Sequence, residues 1–149
     1  MSATTVPADL SYGRLTSCSV HFDDLDAMGI VHNARYAIML ERALTAFWAE
    51  HGLTFAGGRP SSPDVFGAVK EFTISYRSPV TGTGEIALHF WIERLGNTSA
   101  VYGFRFLSAD HAVVHAEGRR VHVKLSPDTL RPAPWTEPTR RVAALLTRD

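Results

Sequence analysis

The sequence is poor in cysteine, since Cys18 is the single one among 149 residues. One cysteine cannot form a disulfide bond within the chain, which favours a protein of the reducing cytoplasm. A charge of one sign is also lacking, because 15 Lys and Arg residues balance 15 Asp and Glu residues and form no basic block. We therefore expect neither a nucleic-acid partner nor binding to a membrane surface by bulk charge.

Long hydrophobic runs are absent too, since none approaches the roughly 18 apolar residues that a membrane span needs. The first residues, MSATTVPADLSYGRL, hold no apolar signal-peptide core and are mostly small and polar. We expect a flexible leader over residues 1–14. The remaining residues, 15–149, suit one domain with a sizeable core, because 45% of the chain is hydrophobic.

One segment is apolar around most of its helical circumference. Residues 34–51 contain neither Gly nor Pro, and Gly52 follows directly, as is usual after the C-terminus of a helix. The main polar exceptions are Glu41, Arg42, Thr45 and Glu50. A helix that is apolar nearly all round is expected to be buried nearly all round, so the rest of the chain should wrap it.

Strand-like segments surround this helix in the sequence. Residues 16–22 alternate between apolar and polar side chains, and four longer segments after the helix are rich in β-branched and aromatic residues: 65–77, 85–95, 99–107 and 113–125. A short helix over residues 140–146, capped by Thr139, is expected to end the domain. This order predicts an α+β fold in which a five-stranded antiparallel sheet is wrapped around a long central helix.

The stretch DAMGIVHNARY, residues 26–36, places a carboxylate shortly before the N-terminus of that helix. The first N–H groups of a helix are unpaired and carry partial positive charge, so they can polarise a carbonyl. We expect Asn33 to cap the helix and Gly29 to allow a sharp turn. Asp26 could then attack a polarised carbonyl or activate a water molecule, although an Asp in such a loop is more often a turn residue.

The residues around this stretch are similar to a known family. The pattern HFDDLDAMGIVHNARYAIMLERAL, residues 21–44, resembles the signature of hotdog-fold acyl-CoA thioesterases of the 4-hydroxybenzoyl-CoA thioesterase type. In that signature a strand leads to Asp-x-x-Gly-x-Val, then to a Tyr and a long helix. The segments VKEFTISYRSPVTGTGEIALHFWIERLGNTS and HAVVHAEGRRVHVKL are similar to the later strands of the family. The resemblance covers about residues 15–146.

The resemblance implies a hotdog domain over residues 15–149 that hydrolyses an acyl-CoA or acyl-carrier-protein thioester without a cofactor or a metal. It implies a homodimer or homotetramer with active sites at the dimer interface. Asp26 matches the nucleophile or general base of the family, and Asn33 matches the residue whose backbone N–H contacts the thioester oxygen. His32 departs from the aromatic or second His that some members carry near the Val, and we retain it as a catalytic candidate.

Five further residues are candidates for binding the substrate. Gly29, Val31 and Tyr36 belong to the motif, and Tyr36 is expected mainly to pack. Arg77 and Ser99 are candidates for contacts to the phosphates of coenzyme A, because Arg side chains and polar loop groups suit phosphate.

Other chemistry stays open at this point. Glu41 is the rival catalyst, because other hotdog enzymes use an acid on the helix. A hotdog dehydratase or hydratase, with His32 acting beside Asp26 or Glu41, is one alternative. A module that binds acyl-CoA without turnover is another. The neighbouring carboxylates Asp23 and Asp24 could raise the pKa of Asp26, but no ligand spacing supports a metal.

Overall fold

The computed structural model describes residues 9–148, and residues 1–8 of the predicted leader lie outside them. Two α-helices and five strands form in the following order: β1 (Arg14–Val20), α1 (Arg35–Glu50), β2 (Gly67–Tyr76), β3 (Gly84–Leu95), β4 (Ser99–Leu107), β5 (Val114–Lys124) and α2 (Glu137–Ala143). The strands make one antiparallel sheet with the spatial order β1-β3-β4-β5-β2. The predicted α+β fold, with one five-stranded sheet and one long helix, is confirmed.

The helix α1 is covered on one side only. Its buried residues, such as Leu40 and Phe47, pack into the main core against β3 and β4. The opposite side is exposed, with Ile38 and Ala46 facing outwards. The expectation of burial nearly all round is therefore wrong for the single chain, because a sheet has one inner face and covers one side of a helix. Among residues 9–148 no helix is both long and apolar enough to cross a membrane.

The middle strands β3 and β4 supply the largest fully buried side chains, including Phe90, Phe104 and Phe106. The outer face of β3 is buried as well, because residues just before β1 lie across it. There Tyr12 packs edge-on against Trp91, and its carbonyl accepts a hydrogen bond from His89 at 2.7 Å. Consequently both faces of β3 are buried from Ile86 to Ile92, and the outer face includes the buried polar His89.

The C-terminal helix begins earlier than the sequence predicted. Thr136 rather than Thr139 is the N-cap of α2, and Pro138 lies in its first turn, where proline is tolerated. The Thr139 hydroxyl instead donates a hydrogen bond to the buried carboxylate of Asp64, which also pairs with Lys124. Through these hydrogen bonds, the start of α2 and the end of β5 pack against the loop that precedes β2.

Candidate active site

The stretch 26–36 forms one wall of a surface cleft with a volume of about 480 Å³. The opposite wall consists of residues 76–79, at and just beyond the end of β2. Six of the eight residues singled out in the sequence line this cleft: Asp26, Val31, His32, Asn33, Tyr36 and Arg77. The fold therefore brings residues that lie some fifty positions apart in the sequence to one place.

A tight loop fixes the position of Asp26. Its Oδ1 accepts hydrogen bonds from the N–H groups of Met28 at 2.8 Å and Ile30 at 3.4 Å. The chain reverses at Gly29, whose φ of +75° is strained for other residues, and Gly29 supports the loop without lining the cleft. The second oxygen, Oδ2, accepts no hydrogen bond from residues 9–148. Asp26 thus keeps one carboxylate oxygen available to a ligand.

The start of α1 is capped differently from the prediction. Ala34, with φ −74° and ψ −13°, is the N-cap residue, and its N–H donates to His32 Nδ1 at 3.1 Å. The expectation that Asn33 caps the helix is wrong, because the chain already turns at His32, whose carbonyl accepts the Arg35 N–H at 2.9 Å. With Nδ1 accepting, a neutral His32 ring carries its proton on Nε2.

The backbone of Asn33 is exposed at this turn. Its carbonyl accepts a hydrogen bond from the Tyr76 hydroxyl at 3.1 Å. Its N–H donates no hydrogen bond within residues 9–148. Because it lies at the positive end of α1, this N–H is a suitable donor to an oxygen atom held in the cleft.

Arg35 and His21, which the sequence did not single out, hold this loop on the helix through Asp24. Arg35 Nε donates to the Asp24 carboxylate at 2.9 Å, and the His21 N–H donates to the same group at 2.8 Å. Burial raises the pKa of Asp24, but these two donors outweigh it and leave the pKa below its ordinary value. The expected cluster of repelling carboxylates is thus replaced by an ion pair. No group of three potential metal ligands occurs among residues 9–148.

The buried ring of Tyr36 forms the floor of the cleft. It packs edge-on against Tyr76 at 5.5 Å and Phe106 at 5.1 Å between ring centroids. Burial raises the pKa of Tyr36 to about 12, so its hydroxyl stays protonated. Tyr76, half-exposed at the end of β2, was missed in the sequence because nothing in a strand pattern marks its last residue as part of a site.

The two candidates for phosphate contact lie in different places. Arg77 is exposed at the rim of the cleft, where its Nε donates to Glu117 at 3.1 Å. Ser99 is the first residue of β4 and does not line the cleft, and its carbonyl accepts the Trp135 indole N–H at 3.1 Å. Of the two candidates for phosphate contact, only Arg77 lines the cleft that contains Asp26.

The rival acid Glu41 lies outside the cleft. It is half-exposed on α1 and pairs with Arg120 of β5, with 2.9 Å between Oε1 and Nη2. It lines a second cavity, between the C-terminal half of α1 and the sheet. Asp26 and Glu41 are therefore not positioned to act on one bond within a single chain.

The sequence model of the thioesterase superfamily matches residues 28–115, which is more than half of the chain. The chain belongs to the thioesterase superfamily. The predicted family is thereby confirmed, and so is the predicted class of enzyme, a thioester hydrolase, at the level of this superfamily. The match begins two residues after Asp26, so it covers most of the cleft but not this carboxylate.

Individual superfamily relatives are 26% to 29% identical to this chain over the residues that match. YneP of Bacillus subtilis is 29% identical over 85 residues, which span 57% of this chain and only 60% of that protein. The acyl-CoA thioester hydrolase YbgC of Escherichia coli O157:H7 is 26% identical over 113 residues, or 76% of this chain and 82% of that protein.

Solved structures share the hotdog fold of this chain. The PA5185 protein of Pseudomonas aeruginosa superposes with a TM-score of 0.81 at 28% identity, covering 91% of this chain and 92% of its own. A thioesterase of Thermus thermophilus, solved with coenzyme A and zinc, gives a TM-score of 0.72 at 22% identity over 89% of this chain and 98% of its own. At 22% identity, the similarity to the Thermus thermophilus structure shows a shared fold alone.

Proposed function

We propose that the protein hydrolyses the thioester bond of an acyl-CoA, or of an acyl-carrier protein, and that Asp26 drives the reaction. One observation carries this proposal. Asp26, which has one carboxylate oxygen without a hydrogen bond, and Asn33, whose backbone N–H donates to no residue among 9–148, line the same cleft. A carboxylate and a hydrogen-bond donor at one place are what the attack on a carbonyl group requires.

In the proposed reaction the thioester oxygen lies against the Asn33 N–H, which stabilises the negative charge that develops there. Asp26 either removes a proton from a water molecule that attacks the acyl carbon, or attacks that carbon itself, expelling the thiolate and forming an anhydride that water then cleaves at the same carbon. In both routes a water oxygen ends on the acyl carbon, the carbon–sulfur bond breaks, and the leaving thiolate takes up a proton. That proton comes from the water molecule that has reacted, directly or by way of Asp26, and His32 is our candidate for a hydrogen bond from its Nε2–H to the leaving sulfur.

The substrate class is proposed from the family together with the cleft. YbgC of Escherichia coli O157:H7, which matches 76% of this chain, is named an acyl-CoA thioester hydrolase. Arg77 at the rim supplies a positive charge that can meet a phosphate once it leaves Glu117. Val31, Tyr36 and Gly29 shape the apolar side of the cleft and the turn beneath it.

We also propose a homodimer, or a homotetramer, in the cytoplasm. The strand β2 is an edge of the sheet, and it exposes Val69 and Tyr76 next to Phe66. An exposed apolar edge strand is a surface that proteins usually cover. Light scattering coupled to size exclusion tests this, and a monomer at micromolar concentration would contradict it.

The decisive experiment measures thiol release from a panel of aromatic and aliphatic acyl-CoAs by the wild type and by Asp26→Asn. We expect turnover of at least one substrate, and a fall in kcat/KM on the order of 100-fold or more in the variant, as for loss of a general base. Circular dichroism checks that the variant is folded. A folded variant that retains its rate would overturn the role of Asp26. If the wild type binds acyl-CoA without any turnover, the hydrolase proposal fails and a binding module remains.

A further inference from the structure

A second cavity, with a volume of about 310 Å³, lies between the C-terminal half of α1 and the inner face of the sheet. Most of its wall is apolar and includes Leu44, Trp48, Leu53 and Trp135. The cavity has the size and character of a small-molecule site. It shares no lining residue with the Asp26 cleft, so hydrolysis as proposed above does not account for it.

Two buried nitrogen atoms in this wall lack a hydrogen-bond partner among residues 9–148: Arg120 Nε and His122 Nδ1. The whole Arg120 side chain is buried, with only 5% of the residue exposed. Unpaired buried polar atoms are costly and therefore rare in native proteins. Two of them in the wall of one cavity are free to pair with a molecule that occupies it.

Strand geometry puts both nitrogens on the same side of the sheet. Arg120 and His122 are two positions apart on β5, so their side chains point to the same face. On the neighbouring strand β4, Tyr102 lies opposite Arg120 and Ala100 lies opposite His122. Because Ala100 has only a methyl group, the space beside the His122 ring stays empty.

The charged side chains in this cavity are paired, and its carboxylate Asp64 is neutralised by Lys124. Arg120 pairs with Glu41 at 2.9 Å, and the hydroxyl of Tyr102 accepts the Trp48 indole N–H at 2.9 Å. Burial, helped by the charge of Arg120, lowers the pKa of His122 to about 4, so the ring is neutral at pH 7. A carboxylate placed here would be a buried charge without a counter-ion, which is unfavourable. An uncharged oxygen can accept from Arg120 Nε and exchange a hydrogen bond with His122 Nδ1 at no such cost.

We propose that this cavity binds a small apolar group, such as an aromatic ring, that ends in one uncharged hydroxyl or carbonyl oxygen. The ring lies among the apolar side chains, and the oxygen lies between Arg120 Nε and His122 Nδ1. Two sources have this chemistry: the acyl group of the thioester substrate, or a separate small molecule that binds apart from turnover.

The first test compares three matched probes by isothermal titration calorimetry on the full chain at pH 7.5: 4-propylphenol, propylbenzene and 4-propylbenzoate. The phenol is expected to bind about tenfold more tightly than the hydrocarbon, which corresponds to one net hydrogen bond, and more tightly than the carboxylate. Equal binding of phenol and hydrocarbon would mean that water satisfies the two nitrogens and would overturn the proposal. Tighter binding of the benzoate would refute the uncharged end group.

The second test identifies the atoms. His122→Phe keeps a ring beside Trp135 but removes Nδ1, and it should abolish most of the preference for phenol over propylbenzene. Arg119→Met is the matched control, because Arg119 is on the same strand but is exposed and pairs with Glu71 at 3.5 Å. Arg119→Met should leave the preference unchanged. If His122→Phe does not fold, Thr45→Phe at the mouth of the cavity should instead weaken binding of all three probes. An unchanged preference in folded His122→Phe would overturn the proposal.

The source of the ligand follows from kinetics. If the cavity holds the acyl group, 4-propylphenol should inhibit acyl-CoA hydrolysis competitively, whereas a separate ligand should bind without competing. Binding must survive in Asp26→Asn, because that residue is not in the cavity. Hydrolysis at the cleft and binding in the cavity are thereby measured independently, so that either can fail without the other.

Discussion

Asp26 and Asp64 are two carboxylates with opposite surroundings. Asp64 is buried, and its oxygens are taken up by Lys124 and by the hydroxyls of Thr136 and Thr139. Burial raises the pKa of Asp64, but these partners outweigh it and leave the pKa below its ordinary value. Asp26 has only backbone donors, and they occupy one of its two oxygens.

This difference separates a structural carboxylate from one that is suited to chemistry. A carboxylate with every lone pair satisfied stabilises the fold and has nothing left to offer a substrate. A carboxylate that is fixed by its own loop, with one oxygen facing an open cleft, can accept a proton or attack a carbon.

The largest expected effect on stability follows from Asp64→Asn. The change leaves Lys124 buried without a counter-charge, which costs about 3–5 kcal/mol. Urea denaturation should report this loss, while kcat/KM of the folded fraction should stay within a few-fold of the wild type. Asp23→Asn, at a carboxylate that is 80% exposed, is the control and should change stability little. Equal stabilities of Asp64→Asn and the control would show that the buried pair contributes nothing.

A smaller loss of stability is expected from Asp24→Asn, because Asp24 combines features of Asp64 and Asp26. Asp24 is buried like Asp64, but it holds the loop that carries Asp26 through Arg35 and the His21 N–H. Losing these charge-assisted hydrogen bonds should cost about 1–3 kcal/mol. Because the loop loosens, kcat should fall as well, but by less than in Asp26→Asn. A variant with wild-type kcat would show that Asp24 does not position Asp26.

The pH dependence of stability should depend on His122, which lines the same cavity as Asp64. Its pKa is about 4 in the folded chain against an ordinary value of 6.5, so the unfolded chain binds more protons between these values. The contribution of neutral His122 to the free energy of unfolding is complete above about pH 6.5 and is lost as the pH falls towards 4. Between pH 7 and pH 5 the wild type should lose about 2 kcal/mol more than His122→Phe in urea denaturation. Parallel losses in the two proteins would contradict the burial of a neutral His122.

Much of the fold could be predicted because its signals are local. Residues 99–107 were predicted as a strand with the bounds that β4 has, and α1 differs from its prediction by one residue at each end. The start of α2 was missed because no side chain caps it. The hydroxyls of Thr136 and Thr139 both donate to Asp64, a residue distant in the sequence, so the helix begins without the capping bond that the sequence suggested.

The motif around Asp26 could be predicted because its residues are neighbours in the sequence, whereas the other wall of the cleft could not. Tyr76 reaches Asn33 only after β2 has paired with β5. The side of the sheet on which Trp91 lies could not be predicted either, because β3 is buried on both faces and has no alternating pattern. The second cavity depends on Ala100 lying opposite His122, which is a matter of strand register rather than of local sequence.

The central claim is that Asp26, rather than Glu41, is the carboxylate that acts on the thioester. The most direct measurement is kcat/KM on one acyl-CoA for Asp26→Asn and Glu41→Gln, made side by side under the same conditions. We predict a loss on the order of 100-fold or more for Asp26→Asn and a loss below about tenfold for Glu41→Gln. The reverse order, with Glu41→Gln the more damaged enzyme, would contradict the account and assign the chemistry to the helix.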